Sequence, residues 1–409
     1  MPTIAVLGTL DSKGAEHAFV AALLVARGHK ALLIDVGTLD PPTVIPDITR
    51  EEVLRRSEMD AGSVFQRRDR GECVAFMSLA APIAVAQLAV EQRIDAIISL
   101  GGGGGTAIAT AAMRALPLGF PKVMVSTLAA GNVKSYVGTK DIAMLPSITD
   151  VAGLHRLSRT IFTRAAGMIC GMVEMPLSCG SSRPLVVASM FGNTTACVTH
   201  AVGIIEAAGY EVLIFAATGT GGLAMESLIE SGMVEGVLDI TTTEWADELV
   251  GGVLSAGPDR LRAAARIGVP AVIVPGCLDM VNFGERNSVP ERFSGRTFYS
   301  HNPQITLMRT TPEECSRLGQ ILAERANESV GPVAILIPQK GISAISVVGG
   351  PFYDPCADEA LFESIRRCAR VPVVESENEI NSLAFASMAA KKLLALMQAK
   401  TSVQKTIHN

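Results

Sequence analysis

Aromatic and charged residues are both scarce in this chain of 409 residues. Aromatic side chains make up 4% of the sequence, with a single tryptophan, and charged side chains make up 18%. The formal net charge is −5, and no basic run stands out along the sequence. Such a chain has no general attraction for nucleic acid or for an anionic lipid surface. We therefore expect any bound anion to be held by specific loops.

Close cysteine pairs and long apolar runs are absent as well. The eight cysteines include no CxxC pair and no close grouping with histidine, so reduced thiols in a cytoplasmic protein are expected and a cysteine zinc site is not. No apolar stretch reaches the roughly 18 to 20 residues that a membrane-spanning helix needs. Residues 1–10 have the pattern of a buried strand rather than of a signal peptide. These absences predict a cytoplasmic protein without a membrane partner.

Apolar runs alternate with helical segments along the whole chain. Hydrophobic residues make up 48% of the sequence, which is enough to build large cores. The alternation is typical of βαβ units and of parallel sheets. We predict an α/β fold of two doubly wound, Rossmann-like subdomains with mainly parallel sheets. The predicted domains are residues 1–180 and 181–409, and residues 39–90 fit the alternation poorly and are interpreted as a helical insertion.

The first polar loop follows the first predicted strand and contains Gly8, Thr9, Asp11 and Lys13. Ligands of open parallel sheets bind beyond the carboxyl ends of the strands, where this loop is expected. Glycine allows close approach to the backbone, Lys13 can neutralise phosphate, and Asp11 can hold Mg²⁺ or a hydroxyl group. An ordinary helix cap uses the same residue types, so that alternative stays open. Asp35, at the end of the second strand, occupies a place where an acid often meets a ribose hydroxyl.

Five consecutive glycines form the clearest signal for a binding site. Ordering each glycine costs about 1 kcal/mol more than ordering an alanine, so packing alone seldom favours such a run. A backbone cradle for a chain of phosphates would favour it, whereas the alternative is a flexible loop without a ligand. The predicted phosphate loop consists of Gly101, Gly102, Gly103, Gly104, Gly105 and Thr106.

A third candidate loop contains Thr139, Lys140 and Asp141. Its hydroxyl and charged groups can close over a nucleotide, or they can be solvated loop residues. The sequence alone does not decide between these two interpretations.

The C-terminal half carries a separate set of polar residues beyond its predicted strands. Glu244, Asp279 and His301 are the candidate catalytic residues of this set. Acids and a histidine beyond strand ends suit a site for an anionic substrate or for a metal-assisted reaction. A lone histidine is more often a structural hydrogen-bonding residue, and the neighbouring Asp247 and Glu248 can be the first-turn acids of a helix. No set of metal ligands is predicted from the sequence.

Ordered segments along nearly the whole chain also carry a family resemblance. They include GTLDSKGAE at residues 8–16, SLGGGGGTA at 99–107, GTKDI at 138–142, TTTEWADELVGG at 241–252 and HNPQITLMRTT at 301–311. In these segments the chain resembles the Tm-one-like ATP-binding domain family. That family includes a plant inhibitor of tobamovirus RNA replication and bacterial and fungal relatives.

The resemblance implies two α/β subdomains, ATP with Mg²⁺ in the N-terminal one, and a homodimer. It places the nucleotide at Gly8, Thr9, Asp11, Lys13, the 101–106 run and the 138–141 segment. The antiviral action is not carried over, because nothing in the sequence shows a surface for a viral partner.

The first function hypothesis is an ATP-binding enzyme that acts on a small anionic metabolite in a cleft between the subdomains. The second is an ATP-dependent regulatory or protein-binding module without catalysis. The polar set of the C-terminal half exceeds what nucleotide binding alone requires, which supports the first hypothesis as the preferred one. The absence of a P-loop and of a standard catalytic triad supports the second. A dinucleotide-binding dehydrogenase is disfavoured, because the GxGxxG pattern is missing.

Overall fold

The chain divides into two units, Met1–Cys179 and Gly180–Asn409. A computed structural model describes residues 1–176 and 183–407, with side chains as far as residue 400. The predicted boundary between residues 180 and 181 lies outside the described residues.

The N-terminal unit is built on a five-stranded parallel sheet with the strand order β2-β1-β3-β4-β5. From β1 the chain turns to β2 on one side and then returns to β3 on the other. The strand order therefore reverses between β1 and β3, which is where open parallel sheets bind their ligands. The strands are β1 (Thr3–Gly8), β2 (Lys30–Asp35), β3 (Ala96–Gly101), β4 (Lys122–Ser126) and β5 (Ala143–Pro146).

Seven helices accompany the described part of this sheet and cover both of its faces. One apolar cluster joins the sheet to α4 and α5, and a second joins it to α1 and α7. The 39–90 insertion supplies α2, α3 and α4, and α4 packs on the same face as α5. The helices are α1 (Leu10–Ala26), α2 (Arg50–Ser57), α3 (Val64–Arg67), α4 (Arg70–Val90), α5 (Gly103–Arg114), α6 (Lys134–Val137) and α7 (Arg156–Glu174).

Helix α4 corrects the expectation that no segment is long and apolar enough to span a membrane. Its 21 residues meet that criterion by length and composition, and it is the one helix among the described residues that does so. The helix is apolar enough on average over its length, although the uncharged polar residues Ser78 and Gln87 interrupt its run of apolar residues in the sequence. One face of α4, including Met77 and Leu88, is buried in the core of the N-terminal unit.

The C-terminal unit contains nine strands within the described part of the chain. Six of them form a parallel sheet in the order β14-β13-β9-β8-β6-β7. The prediction of an α/β fold with two mainly parallel, Rossmann-like sheets is confirmed. The strands are β6 (Leu185–Met190), β7 (Glu211–Ala216), β8 (Val234–Thr241), β9 (Ala271–Gly276), β10 (Met280–Phe283), β11 (Phe298–Asn302), β12 (Ile305–Arg309), β13 (Val333–Pro338) and β14 (Val373–Ser376).

A small antiparallel sheet in the order β10-β12-β11 was not predicted. Its strands have four or five residues, and the outer strand β11 is mostly polar and exposed, so it carries no apolar run. The helices of the C-terminal unit are α8 (Thr195–Ala207), α9 (Thr220–Glu230), α10 (Glu244–Val250), α11 (Ala263–Ile267), α12 (Pro312–Asn327), α13 (Pro355–Cys368) and α14 (Leu383–Ile407).

Candidate functional site

A polar cavity of about 510 Å³ lies in the N-terminal unit, at the switch point between β1 and β3. The loops that follow these two strands form its floor, and the insertion adds one wall. Of the predicted residues, the cavity brings together Thr9, Asp11, Lys13 and Gly102 to Gly105. The other lining residues are Ser12, Thr38, Leu39, Asp40, Arg70, Val74, Thr127 and Asp150.

Asp11 holds the loop that follows β2 through one of its carboxylate oxygens. Its Oδ2 atom accepts hydrogen bonds from the backbone N–H groups of Thr38 at 2.9 Å and Leu39 at 3.0 Å. Its Oδ1 atom is buried and has no hydrogen-bond partner within the part of the chain that the structure describes. A buried oxygen of this kind normally has a partner, so Oδ1 is available for a donor or a cation.

Asp35 lies just beneath this loop and does not line the cavity. Its Oδ1 atom accepts hydrogen bonds from the N–H groups of Leu10 at 3.1 Å and Gly37 at 2.8 Å. Burial raises the pKa of the Asp35 carboxyl group. The structure thus gives Asp35 the position of a support that joins the loops after β1 and β2, rather than the predicted place beside a ribose.

His17 is a supporting residue that the sequence analysis missed. Its ring fills the space above Gly8, where an added Cβ atom would come within 2.1 Å of Nε2. Nδ1 lies 2.7 Å from the carbonyl oxygen of Lys13, and the N–H of Leu100 lies 3.4 Å from Nε2. Burial lowers the pKa of His17, so the neutral ring can donate from Nδ1 and accept at Nε2. Gly8 is therefore explained by packing against His17, and it does not line the cavity.

Steric contacts distinguish Gly101 from Gly102 and Gly103 within the glycine run. At Gly101 an added Cβ would come within 3.0 Å of the Cα of Gly105, so this glycine is needed for the turn itself. At Gly103 an added Cβ would meet no described atom within 4 Å, and at Gly102 its nearest neighbours would be 3.8 Å away or more. Neither Gly102 nor Gly103 has a positive φ. Internal packing and backbone conformation thus leave these two glycines unexplained.

Thr106 lies below the run, at the first turn of α5. Its side chain is fully buried, and its Oγ1 lies 2.7 Å from the Oγ of Ser126 at the end of β4. This contact ties the start of α5 to the neighbouring strand. Thr106 supports the loop and does not line the cavity.

Both cations of the cavity lack an acidic partner. Lys13 and Arg70 form no ion pair with any residue in the described ranges, although three acids line the same cavity. Of these acids, Asp40 pairs with Arg68 at 2.7 Å, whereas Asp11 and Asp150 form no such pair within the described side chains. The cavity is therefore lined by two basic and two acidic side chains that form no ion pair among the described residues.

Thr139, Lys140 and Asp141 do not reach this cavity, which corrects their predicted position beside the other loops. They precede β5, so they lie near the amino ends of the parallel strands, opposite the glycine loops. There Asp141 accepts a hydrogen bond of 2.7 Å from Lys122 Nζ and one of 2.8 Å from the N–H of Gly119. The Lys122 side chain is buried, so Asp141 balances a buried charge.

In the C-terminal unit, Glu244 is enclosed in a buried ionic cluster around Arg260. Glu244 Oε1 accepts from the N–H groups of Gly219 at 2.7 Å and Gly222 at 3.1 Å, and Oε2 accepts from Arg260 Nε at 2.6 Å. Arg260 also pairs with Asp239 and Glu226. Burial alone would lower the pKa of Arg260, but these carboxylates outweigh it and hold the pKa well above its usual value. Both oxygens of Glu244 are thus occupied.

Asp279 and His301 form no hydrogen bond with this cluster in the part of the chain that the structure describes. Asp279 follows β9 and is fully buried; its Oδ2 accepts from Ser343 Oγ at 2.8 Å, and burial raises the pKa of its carboxyl group. His301 is exposed on the outer strand β11, at an irregularity in its pairing with β12. Within the described residues no hydrogen bond or ion pair joins Glu244, Asp279 and His301, and His301 is exposed whereas the two acids are buried.

Comparison with known proteins identifies the family. A family description reading "Uncharacterised protein family (UPF0261)" matches residues 2–178 with its N-terminal domain and residues 183–397 with its C-terminal domain. The chain belongs to the UPF0261 family. A UPF0261 protein of Clostridium tetani is 46% identical over 97% of this chain and 99% of its own length. Another from Rhizobium meliloti is 47% identical over 95% and 98%.

The resemblance to the Tm-one-like proteins is confirmed as well. The tomato protein named "ToMV susceptible protein tm-1(GCR26)" is 35% identical over 97% of this chain, which spans 56% of that longer protein. Among solved structures, MurG of Acinetobacter baumannii is 12% identical and covers 96% of this UPF0261 chain and 100% of its own, with a TM-score of 0.22. That score is too low to indicate a shared arrangement of the whole chain.

Proposed function

We propose that this UPF0261 protein binds ATP with Mg²⁺ in the cavity between the loops that follow β1 and β3. The observation that carries the proposal is the open space above Gly102 and Gly103. No described neighbour and no positive φ requires glycine there, so a ligand that lies against the backbone is the best reason for both residues.

The start of α5 supplies donors for phosphate. The first N–H groups of a helix have no partner inside the helix, and Gly102, as the residue that caps α5, offers no side chain to them. These N–H groups and the positive end of the helix dipole favour an anion. Lys13 and Arg70 add two unpaired cations on the same cavity, which supports a ligand with several negative charges.

Carboxylates in the same cavity support a divalent cation beside the phosphates. Without a cation, Asp11 and Asp150 would repel a polyphosphate. Mg²⁺ is commonly held by one or two carboxylates together with phosphate oxygens, and Asp11 Oδ1 is a buried oxygen without a partner among the described residues. Asp11 would thus hold Mg²⁺, which neutralises part of the phosphate charge.

ATP-dependent regulation without turnover is the form of this function that we favour, in preference to an enzyme acting on a small anionic metabolite. The supporting observation is that Glu244 is occupied within the Arg260 cluster while His301 lies on an exposed strand. We further propose that ATP acts on a homodimer. Light scattering with and without ATP, combined with an ATP hydrolysis assay, tests this version. Rapid hydrolysis with an unchanged oligomer would contradict it.

Titration calorimetry with ATP, ADP, GTP and NAD, each with and without Mg²⁺, tests the binding proposal. We expect selective, Mg²⁺-dependent binding of ATP that is lost in Lys13→Ala. Lys30→Ala is the matched control, because Lys30 is an exposed lysine at the opposite, amino end of the same sheet. Equal weakening by both variants would indicate general charge attraction, and no nucleotide binding to the wild-type chain would refute the proposal.

A further inference from the structure

A second set of ligand atoms lies near the amino end of β2, away from the nucleotide cavity. His29 directly precedes β2, and Cys170 and Glu174 lie four residues apart on α7. Residues at this spacing share one face of a helix. One ligand atom from each of the three side chains lies within 4.8 Å of the other two. The fold thus brings together a histidine and a cysteine that are far apart in the sequence.

The burial of these side chains suits a bound ion. His29 is 7% exposed and Cys170 is 1% exposed. His29 Nε2 lies 2.9 Å from Glu174 Oε1, while its Nδ1 is buried without a partner among the residues that the structure describes. Nε2 therefore faces the carboxylate and is the histidine atom placed to bind an ion, while Nδ1 lies on the other side of the ring.

We propose that His29, Cys170 and Glu174 bind one divalent transition-metal ion. Imidazole, thiolate and carboxylate are the ligands that zinc takes, and three protein ligands leave a fourth position for water. The Cys170 sulfur binds the ion as a thiolate. When the ion binds, the sulfur–hydrogen bond breaks, the sulfur–metal bond forms and the proton passes to solvent.

Arg27 is the competitor of the ion. It contacts Glu174 at 3.4 and 3.5 Å, distances at the long end of hydrogen bonding, and its side chain is 63% exposed. An exposed arginine can turn away into solvent when a metal ion takes the carboxylate. Removing Arg27 should therefore strengthen metal binding. If His29 and Glu174 form only an ion pair and bind no metal ion, removing Arg27 should have no effect on metal binding.

Cobalt(II) is the probe for this site, because it accepts the ligands of zinc and its bond to a thiolate absorbs light in the near ultraviolet. The full chain is treated with a chelator and then titrated with Co²⁺. We expect one equivalent to produce the thiolate band and one equivalent of Zn²⁺ to remove it. Arg27→Ala should give the band at a lower Co²⁺ concentration.

Matched cysteine variants separate this site from other thiols. Cys170→Ser should lose the band, and Cys356→Ser should keep it, because Cys356 is an exposed cysteine in the other unit. His29→Gln should need at least about tenfold more Co²⁺, because loss of an outer-shell partner already costs about that much and His29 is a direct ligand. Thermal unfolding of each variant checks that it is folded. The absence of the band in the wild-type chain, or its persistence in folded Cys170→Ser, would overturn the proposal.

Discussion

Replacement of Arg260 by leucine is the most direct test of how the C-terminal unit is stabilised. Arg260 is 1% exposed and is surrounded by three carboxylates. Its guanidinium group donates to Asp239 at 2.6 and 2.8 Å, to Glu244 at 2.6 Å and to Glu226 at 3.1 Å. Arg260→Leu removes the cation that these three acids share and leaves them in a buried site.

The expected loss of stability is large. Removing one partner of a buried ion pair costs about 3–5 kcal/mol, and here one substitution removes the partner of three acids. For a unit of this size, each kcal/mol lowers Tm by roughly 2–4 °C, so we expect a decrease on the order of 10 °C. In the variant the buried carboxylates gain protons more readily than in the unfolded chain. Its deficit relative to wild type should therefore shrink as the pH falls.

Differential scanning calorimetry of wild type, Arg260→Leu and Arg266→Leu measures this effect. Arg266 is the matched control, because it is 54% exposed and pairs with the surface acids Asp259 and Glu230. Surface pairs contribute about 0–1 kcal/mol, so the control should change Tm little. If both variants unfold at the same temperature, the cluster does not stabilise the unit, and Glu244 again becomes a candidate catalytic acid.

Three further predictions concern the N-terminal unit. Gly103→Ala and the control Gly167→Ala on α7 should each raise the stability of the unit by up to about 1 kcal/mol, because neither added methyl group meets a described atom. Only Gly103→Ala should weaken ATP binding in calorimetry, and an unchanged affinity would count against the phosphate loop. Asp141→Asn should lower Tm and leave ATP affinity unchanged, since Asp141 balances Lys122 at the other end of the sheet; weaker binding would restore Asp141 to the site. The pKa of His17 is lowered in the folded chain, so the unfolded chain binds the proton more readily and the stability should fall as the pH drops below about 6.5. His17→Gln should show a smaller decrease in Tm between about pH 8 and pH 5.5 than the wild type, and an equal decrease would refute this prediction.

The strands of the two parallel sheets could be predicted because both of their faces are buried. Such strands are short apolar runs, and the runs at residues 3–7 and 333–337 lie within β1 and β13. Strand β5, with four half-buried residues, and the small antiparallel sheet leave no such run. Their existence depends on neighbours that are distant in the sequence.

The error at Asp141 has the same origin. The sequence shows no apolar run at β5, so it predicts that the loop at 138–141 follows the strand at 123–126, whereas in the structure that loop precedes β5. In a parallel sheet, a residue that precedes its strand lies at the amino edge, away from the ligand. Arg70 and Asp150 were missed for the complementary reason, since no local pattern marks an isolated charge as part of a cavity.

The sequence by itself determined the fold class and the two loops of the candidate site. Buried parallel strands require continuous apolar runs, and a run of five glycines has few structural uses. Both features can therefore be recognised from a short stretch of sequence. Only the tertiary structure decided which charges share a cavity, that Glu244 belongs to the Arg260 cluster, and that His29 meets Cys170. Each of these depends on how separate segments pack together, and a charged or ligating side chain looks the same in the sequence whether its partner is near or absent.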